Sequence, residues 1–248
     1  EFFNQKKEEA AIEAKNERLR ANLLRSISHD LRTPLTSISG NASVLINNSG
    51  SLDENKKMQL YEVIYDDSLW LINLVENLLS VTRIEDGKMN LHLETELIEE
   101  VINEALNHIS HKKDEHRIEV KANDEFILAK IDAGLIIQVI INIVDNAIKY
   151  TPKGSMISIE TFKHKDFVEI QIADDGAGIS DKDKEKLFEM FYTVKHEVID
   201  GRRGLGLGLA LCKAIIVAHG GNIAVKDNIP HGTIFSFTLP IKEVEIHE

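Results

Sequence analysis

The chain has 248 residues, room for two domains, and 43% of them are apolar, enough to build real cores. Its net charge of −12 argues against a nucleic-acid surface. The single cysteine, Cys212, excludes an internal disulfide and any cysteine zinc site, and fits a reducing, cytosolic location.

Residues 1–20 are rich in Lys, Glu, Asn and Ala and hold no sustained apolar seam. They read either as a signalling helix arriving from upstream or as a solvated, frayed end. The first residues are polar and charged, so no signal peptide is expected. No run of roughly 18 apolar residues is present, so nothing is expected to span a membrane. The chain opens inside what reads as a helix, which suggests a fragment of a longer protein.

A heptad seam follows: Ala21, Ser28, Leu35 and Ala42 alternate with Leu24, Leu31, Ile38 and Leu45, the pattern of a helix packing against partner helices. His29 falls one step off this seam, on its wetter side. It stands in the string Ser26-Ile-Ser-His-Asp-Leu-Arg-Thr-Pro-Leu35. Asp30 can hold an imidazole tautomer and take a proton, and neutral imidazole is a competent nucleophile. Thr33, at i+4, shares the His29 face. Pro34 removes a backbone donor and should bend the helix.

Asn47–Asp53 reads as a loop, with Asp53 capping a second helix that runs to about Ile84. Leu60, Ile64, Leu71, Leu74, Leu78 and Val81 form its apolar face, widened by Val63, Ile72, Val75 and Leu79. That is more apolar surface than one partner helix covers, and two such hairpins forming a dimeric four-helix bundle would cover it. Tyr61, Tyr65 and Trp70 read as packing residues. The helix breaks at Glu85–Lys88, with Gly87 in a C-terminal place. This junction is the expected domain boundary and hinge. The organisation is therefore 1–20 as incoming segment, 21–86 as helical domain and 87–242 as a second domain.

Past the junction the period changes to two, with a strand at Met89, Leu91 and Leu93. A helix over about Ile98–Ile109 follows, then strands near Ile118–Val120 and Phe126–Ala129. His108, His111 and His116 have no metal-ligand spacing and read as surface histidines. Asp132–Tyr150 is a helix with Ile136, Ile140, Ile143 and Ala147 as its buried stripe. Asn142, Asn146, Lys149 and Tyr150 stand on another face. Amide oxygens there suit a hard cation such as Mg2+, and Lys149 suits a phosphate.

Strands over Met156–Phe162 and Phe167–Ala173 lead into Asp174-Asp-Gly176-Ala-Gly178-Ile179. Its glycines allow close backbone approach to a ligand. A buried carboxylate at this strand end can accept a hydrogen bond from an exocyclic amine, which would select adenine over guanine. The basic stretch Tyr192–Arg203 leads into Gly204-Leu205-Gly206-Leu207-Gly208-Leu209. Helix N-termini of this kind attract phosphates. This is neither a Walker loop nor a Rossmann turn. The helix continues to about His219, with Leu209, Cys212, Ile216 and Val217 as expected core. Strands Asn222–Val225 and Thr233–Leu239 complete the chain.

The string around His29 resembles the phosphoacceptor box of two-component sensor histidine kinases. Asn142-Ile-Val-Asp-Asn146-Ala-Ile-Lys-Tyr-Thr-Pro resembles their N box, Asp174–Ile179 their first glycine box, Phe188-Glu-Met-Phe-Tyr192 their F box, and Gly204–Leu209 their second glycine box. The boxes occur in the family's order, and the likeness runs from about Arg20 to Pro240. Arg20–Thr36 and Ala218-His-Gly-Gly look most like the potassium-responsive Kdp sensor kinases. The resemblance implies an α + α/β fold: a dimerising phosphoacceptor hairpin followed by a Bergerat-type (GHKL) ATP-binding α/β sandwich. It implies ATP and Mg2+ as cofactors, a homodimer, a response-regulator partner and a membrane link only through a missing N-terminal region.

By the same resemblance, Asp30 is the general base and Thr33 orients water for dephosphorylating the partner. Asn146 binds Mg2+, Asn142 positions the reacting phosphate, Tyr150 packs by the base, and Asp174 reads adenine with Thr233 nearby. Asp175 stands where the family often has asparagine. Thr193 stands where it often has arginine, so that phosphate contact passes to Arg202 or Arg203. Two other classes share parts of this pattern. A gyrase- or Hsp90-type ATPase needs a water-activating glutamate where this chain has Asn142. A nucleotide-sensing scaffold would not need the intact His29 box.

Overall fold

The computed structural model describes residues 28, 31–48, 50–85, 91–109, 115–122, 126–190, 192–194 and 206–241. They divide into two compact units, Glu1–Leu78 and Leu79–Glu248. His29, Asp30, Arg202, Arg203, Gly204 and Leu205 lie outside the described residues, as do residues 1–20 and the Gly87 break.

The first unit is a helical hairpin. Helix α1 (31–48) is continuous across Pro34, which is buried. The expected seam divides: Leu31, Ile38 and Leu45 are buried or half-buried, whereas Leu35 is 54% exposed. Asn47 and Asn48 still belong to α1, so the loop starts later than the sequence suggests. The Asn47 amide donates to Ser43 Oγ at 3.1 Å, and Asn48 O accepts Ser51 N–H and Leu52 N–H to close the turn. Asp53 caps α2 (Glu54–Glu85), its Oδ1 accepting Lys56 N–H at 2.7 Å. Leu74 is buried and Leu60, Ile64, Leu71 and Trp70 are half-buried. Tyr61 and Tyr65, expected to pack, are more than half exposed in this chain, together with Ile72.

The second unit is an α/β sandwich. Its elements are β1 (Glu94–Leu97), α3 (Ile98–Asn107), β2 (Arg117–Ala122), β3 (Leu128–Ile131), α4 (Ala133–Tyr150), β4 (Met156–Lys163), β5 (Phe167–Asp174), α5 (Asp181–Lys184), α6 (Gly208–Ala218), β6 (Ile223–Asp227) and β7 (Thr233–Pro240). The five-stranded sheet has the order β2-β4-β5-β7-β6, parallel only between β2 and β4. β1 and β3 form a separate antiparallel pair. β4 and β5 alternate buried and half-buried side chains, the period-two signature of a sheet with one face on the core. α3, α4 and α6 pack side by side and cover that face.

Met89 lies outside the described residues, but Leu91 and Leu93, expected in the first strand, precede it: β1 begins at Glu94. His92 N–H is taken by the Asp132 carboxylate at 3.1 Å, so ladder pairing starts only at Glu94, opposite Ile131. α6 also departs from expectation. Cys212 and Ile216 are buried, but Val217 is 57% exposed, one step beyond the stripe formed by Leu211, Cys212, Ile215 and Ile216.

Asp132 ties three elements together. Its Oδ1 caps α4 by accepting Leu135 N–H, and its own N–H donates to His219 Nε2 at 3.1 Å. His219 Nδ1 therefore carries the ring proton and donates to Ile215 O at 2.8 Å, which makes the buried imidazole a neutral bridge from α6 to α4. By length and composition α4 could cross a membrane, yet Ile136, Val139, Ile140, Ile143 and Val144 are fully buried in the sandwich core.

Candidate nucleotide site

The site is built where α4 passes the end of β5 and the start of α6. Residues at i, i+3, i+4 and i+7 share a helix face, which sets Asn142, Asp145, Asn146 and Lys149 in one polar row beside the buried isoleucines. Asn142 Nδ2 is buried without a hydrogen-bond partner. That nitrogen faces the Cys212 sulfur, a weak acceptor, which leaves the Asn142 carbonyl oxygen as the atom that can meet a ligand. Gly208 leaves the space beside it: a Cβ there would lie 3.4 Å from Asn142 Oδ1. Cys212 lies under the same amide, and burial pushes its thiol up to about 12, making it inert.

Asn146 is half-buried in this row. Lys149 Nζ lies 5.3 Å from the Tyr150 ring centroid, a cation–π contact. Tyr150 is 42% exposed, as a ring offered to a planar ligand must be. Asp145 was not singled out from the sequence, although its i+3 spacing from Asn142 was visible. Burial lifts its carboxyl to about 6.

Across from α4, Asp174 closes β5 and is buried. Its Oδ1 accepts Gly176 N–H at 2.9 Å and Thr233 N–H at 3.2 Å. Both recorded bonds fall on one oxygen, so Oδ2 is left for a donor from a ligand. Burial raises the Asp174 carboxyl, the two backbone N–H groups pull it back, and the Asp175 charge adds an upward push. Asp175 itself is structural. Its Oδ1 accepts Met156 N–H at 3.0 Å, a bond that asparagine would also make.

Two glycines in this region have no room for a side chain. A Cβ on Gly176 would meet Thr151 Cγ2 at 2.7 Å, and Gly178 has φ +77° with Gly232 O 3.2 Å from its Cβ position. Thr151 is held by donating to Ala147 O at 2.7 Å and accepting from His116 Nε2 at 3.0 Å. His116 is thus no mere surface histidine. Its Nδ1 is buried and unpartnered.

Ile179 and Leu209 pack against the core, Leu207 is buried, and Gly206 takes φ +68° just before α6. Thr233 is buried beside Asp174. Phe188 stacks edge-on against Phe235 of β7, centroids 6.4 Å apart, so its packing role holds. Tyr192 Oη donates to Asp183 Oδ1 at 2.5 Å, anchoring the segment that leaves α5. An open depression of about 620 Å3, lined in part by Tyr150, Gly176 and Ala177, adjoins this rim.

These residues therefore converge as a polar α4 row, a tied carboxylate with one spare oxygen, and a glycine-shaped rim. Hard amide oxygens on Asn142 and Asn146, with the Gly208 backbone leaving space beside the first, fit a nucleotide with its Mg2+. Thr33 belongs to the other unit and is exposed on α1.

Residues 131–243 match the family of histidine kinase-, DNA gyrase B-, and HSP90-like ATPases, and residues 19–87 match the His Kinase A (phospho-acceptor) domain. The chain is 44% identical over 240 residues to the Sensor protein KdpD of Clostridium acetobutylicum, covering 97% of this chain and 27% of that protein. It thus spans about a quarter of the length of that curated relative. The catalytic domain of histidine kinase ThkA is 30% identical with a TM-score of 0.54, covering 60% of this chain and 97% of that domain. Histidine kinase ThkA in complex with response regulator protein TrrA aligns with a TM-score of 0.62 at 26% identity, covering 92% of this chain and 64% of that one. With both domains matched in order and the fold shared, the chain belongs to the two-component sensor histidine kinases, in a form similar to KdpD, and its second unit is their ATP-binding domain.

Proposed function

We propose that this chain autophosphorylates on His29 at the expense of ATP and passes the phosphoryl group to an aspartate of a response regulator. The observation that carries this reading is the Asp174 carboxylate, pinned through Oδ1 with Oδ2 spare. A kinase phosphorylating its own histidine needs an adenine reader of this kind.

In the reaction, a ring nitrogen of His29 attacks the γ-phosphorus in line. The bond from that phosphorus to the β–γ bridging oxygen breaks, ADP leaves, and the ring proton passes to Asp30. Positioning and charge neutralisation supply most of the rate in phosphoryl transfer. Bound Mg2+ neutralises charge on the phosphates, and Asn146 is the residue proposed to hold it. Lys149, Arg202 and Arg203 meet phosphate oxygens, and the N–H groups of Gly204–Leu209 add donors. Tyr150 packs on the base, and Gly176, Gly178, Ile179 and Thr233 shape its pocket.

Thr33 supports the reverse, dephosphorylating activity. The organisation proposed is 1–20 incoming segment, 21–86 dimerising phosphoacceptor domain and 87–242 catalytic domain. A second copy packs on the exposed apolar face of the hairpin. The ThkA–TrrA complex supports a receiver-domain partner, and the likeness to KdpD supports a membrane sensor in a potassium or osmotic response.

The test is incubation with γ-labelled ATP and Mg2+. Acid-labile label that disappears in His29→Gln, with ATP binding kept, is the expected result. ATP binding without any label in the wild type would leave a nucleotide-sensing scaffold instead.

A further inference from the structure

The loop between β6 and β7 is not part of any box, yet it braces Asp174 from three directions. Asn228 Nδ2 donates to the Asp174 carbonyl at 2.8 Å. Asn228 N–H donates to Gly232 O at 3.0 Å, which closes the loop on itself. Gly232, at φ +114°, lies so close that a Cβ would fall 2.0 Å from Asp174 O. The next residue, Thr233, supplies one of the two donors on Asp174 Oδ1. His231 Nδ1 donates to Asp175 O at 2.8 Å, holding the adjoining carbonyl.

The Asp174 carboxylate can read a base edge only if its backbone is fixed, because a rotation about the strand end swings Oδ2 across the site. Oδ1 is held by Gly176 and Thr233; the main chain is paired on one side with Ile157 of β4, and its carbonyl is held on the other by Asn228. A site needs its reading group fixed to within about half an ångström for good discrimination.

We propose that Asn228 is a positioning residue for base recognition: by anchoring the Asp174 carbonyl it fixes the carboxylate oxygen that distinguishes adenine from guanine. This rests on the nucleotide reading above. It adds a specificity role in the β6–β7 loop, where the residue touches the reader and not the ligand.

The experiment uses the full chain with Asn228→Ala and Asn228→Asp. The second exchange keeps the shape but turns an acceptor toward the carbonyl. ATP and GTP affinities, the KM for ATP, the maximal autophosphorylation rate and the melting temperature are measured together. The expected result is a rise of about five- to twentyfold in both Kd and KM for ATP. The ATP-over-GTP ratio falls by a similar factor, while the rate at saturating ATP and the melting temperature stay near wild type. A purely structural role would not separate KM from kcat or narrow the base preference. Unchanged ATP affinity and base preference in both variants, with a wild type that prefers ATP, would overturn the role of Asn228 alone. Loss of the melting transition in both would make Asn228 a folding residue and overturn it too. A wild type that shows no preference for ATP would overturn the nucleotide reading itself.

Discussion

Two carboxylates in this chain show how burial assigns different work to the same chemical group. Asp145 is half-buried, and the burial lifts its carboxyl to about 6, above its ordinary 3.8. The folded state therefore holds its proton more tightly than the unfolded chain. Stability from this group is fully present below about pH 3.8 and is lost as pH rises through about 6. Burying the anion then costs up to about 3 kcal/mol. Asp145→Asn is expected to raise the melting temperature at pH 7.5 and leave it unchanged near pH 4, measured without nucleotide or metal. Equal shifts at both values would contradict the assignment. Asp174, by contrast, is held by two backbone donors and keeps one oxygen for a ligand. In Asp174→Asn the Oδ1 bonds survive but a donor replaces the spare acceptor. ATP affinity should fall about 30- to 100-fold with the fold intact, and GTP should lose less, as a competition titration would show.

At the scale of elements, α4 acts as both core and site. Its isoleucines anchor it under the sheet, and that rigidity places the polar row on its other face. The entrance of α4 is fixed from α6 through His219, whose two ring nitrogens are both committed. His219→Ala would leave the Asp132 N–H without its partner, whereas Ile215 O keeps the backbone N–H of residue 219. The expected loss is about 1–3 kcal/mol, read as a lower melting temperature of the second unit, with the helical hairpin unaffected. A melting temperature equal to wild type would show that water replaces the imidazole.

For the molecule as a whole, the hairpin leaves Leu35, Met58, Tyr61, Tyr65, Ile72 and Val75 about half exposed. Such a contiguous apolar face is a burden for a lone chain and is expected to be covered by a second copy. Ile72→Glu buries an unpaired charge only in the dimer. Light scattering should therefore find more monomer in this variant, with unchanged helix content by circular dichroism.

Much of the second unit was legible because its signals are local. The alternation in β4 and β5, the stripe of α4 and the glycine box each come from a few consecutive residues whose pattern survives in the fold. The α4 row of Asn142, Asn146 and Lys149 could be placed from helical period alone. Pairing partners are not local, and there the reading slipped: β1 starts at Glu94 because Asp132, forty residues on, takes the His92 N–H. Val217 and the hairpin tyrosines looked like core because composition does not say which face meets a neighbour. The chemistry of the site and the order of its boxes are determined by the sequence itself. Only the tertiary structure decides that Asn228 and Gly232 meet Asp174, that His116 steadies Thr151, and that Asp145 is partly desolvated. Each of these depends on residues far apart in the chain being brought within bonding distance.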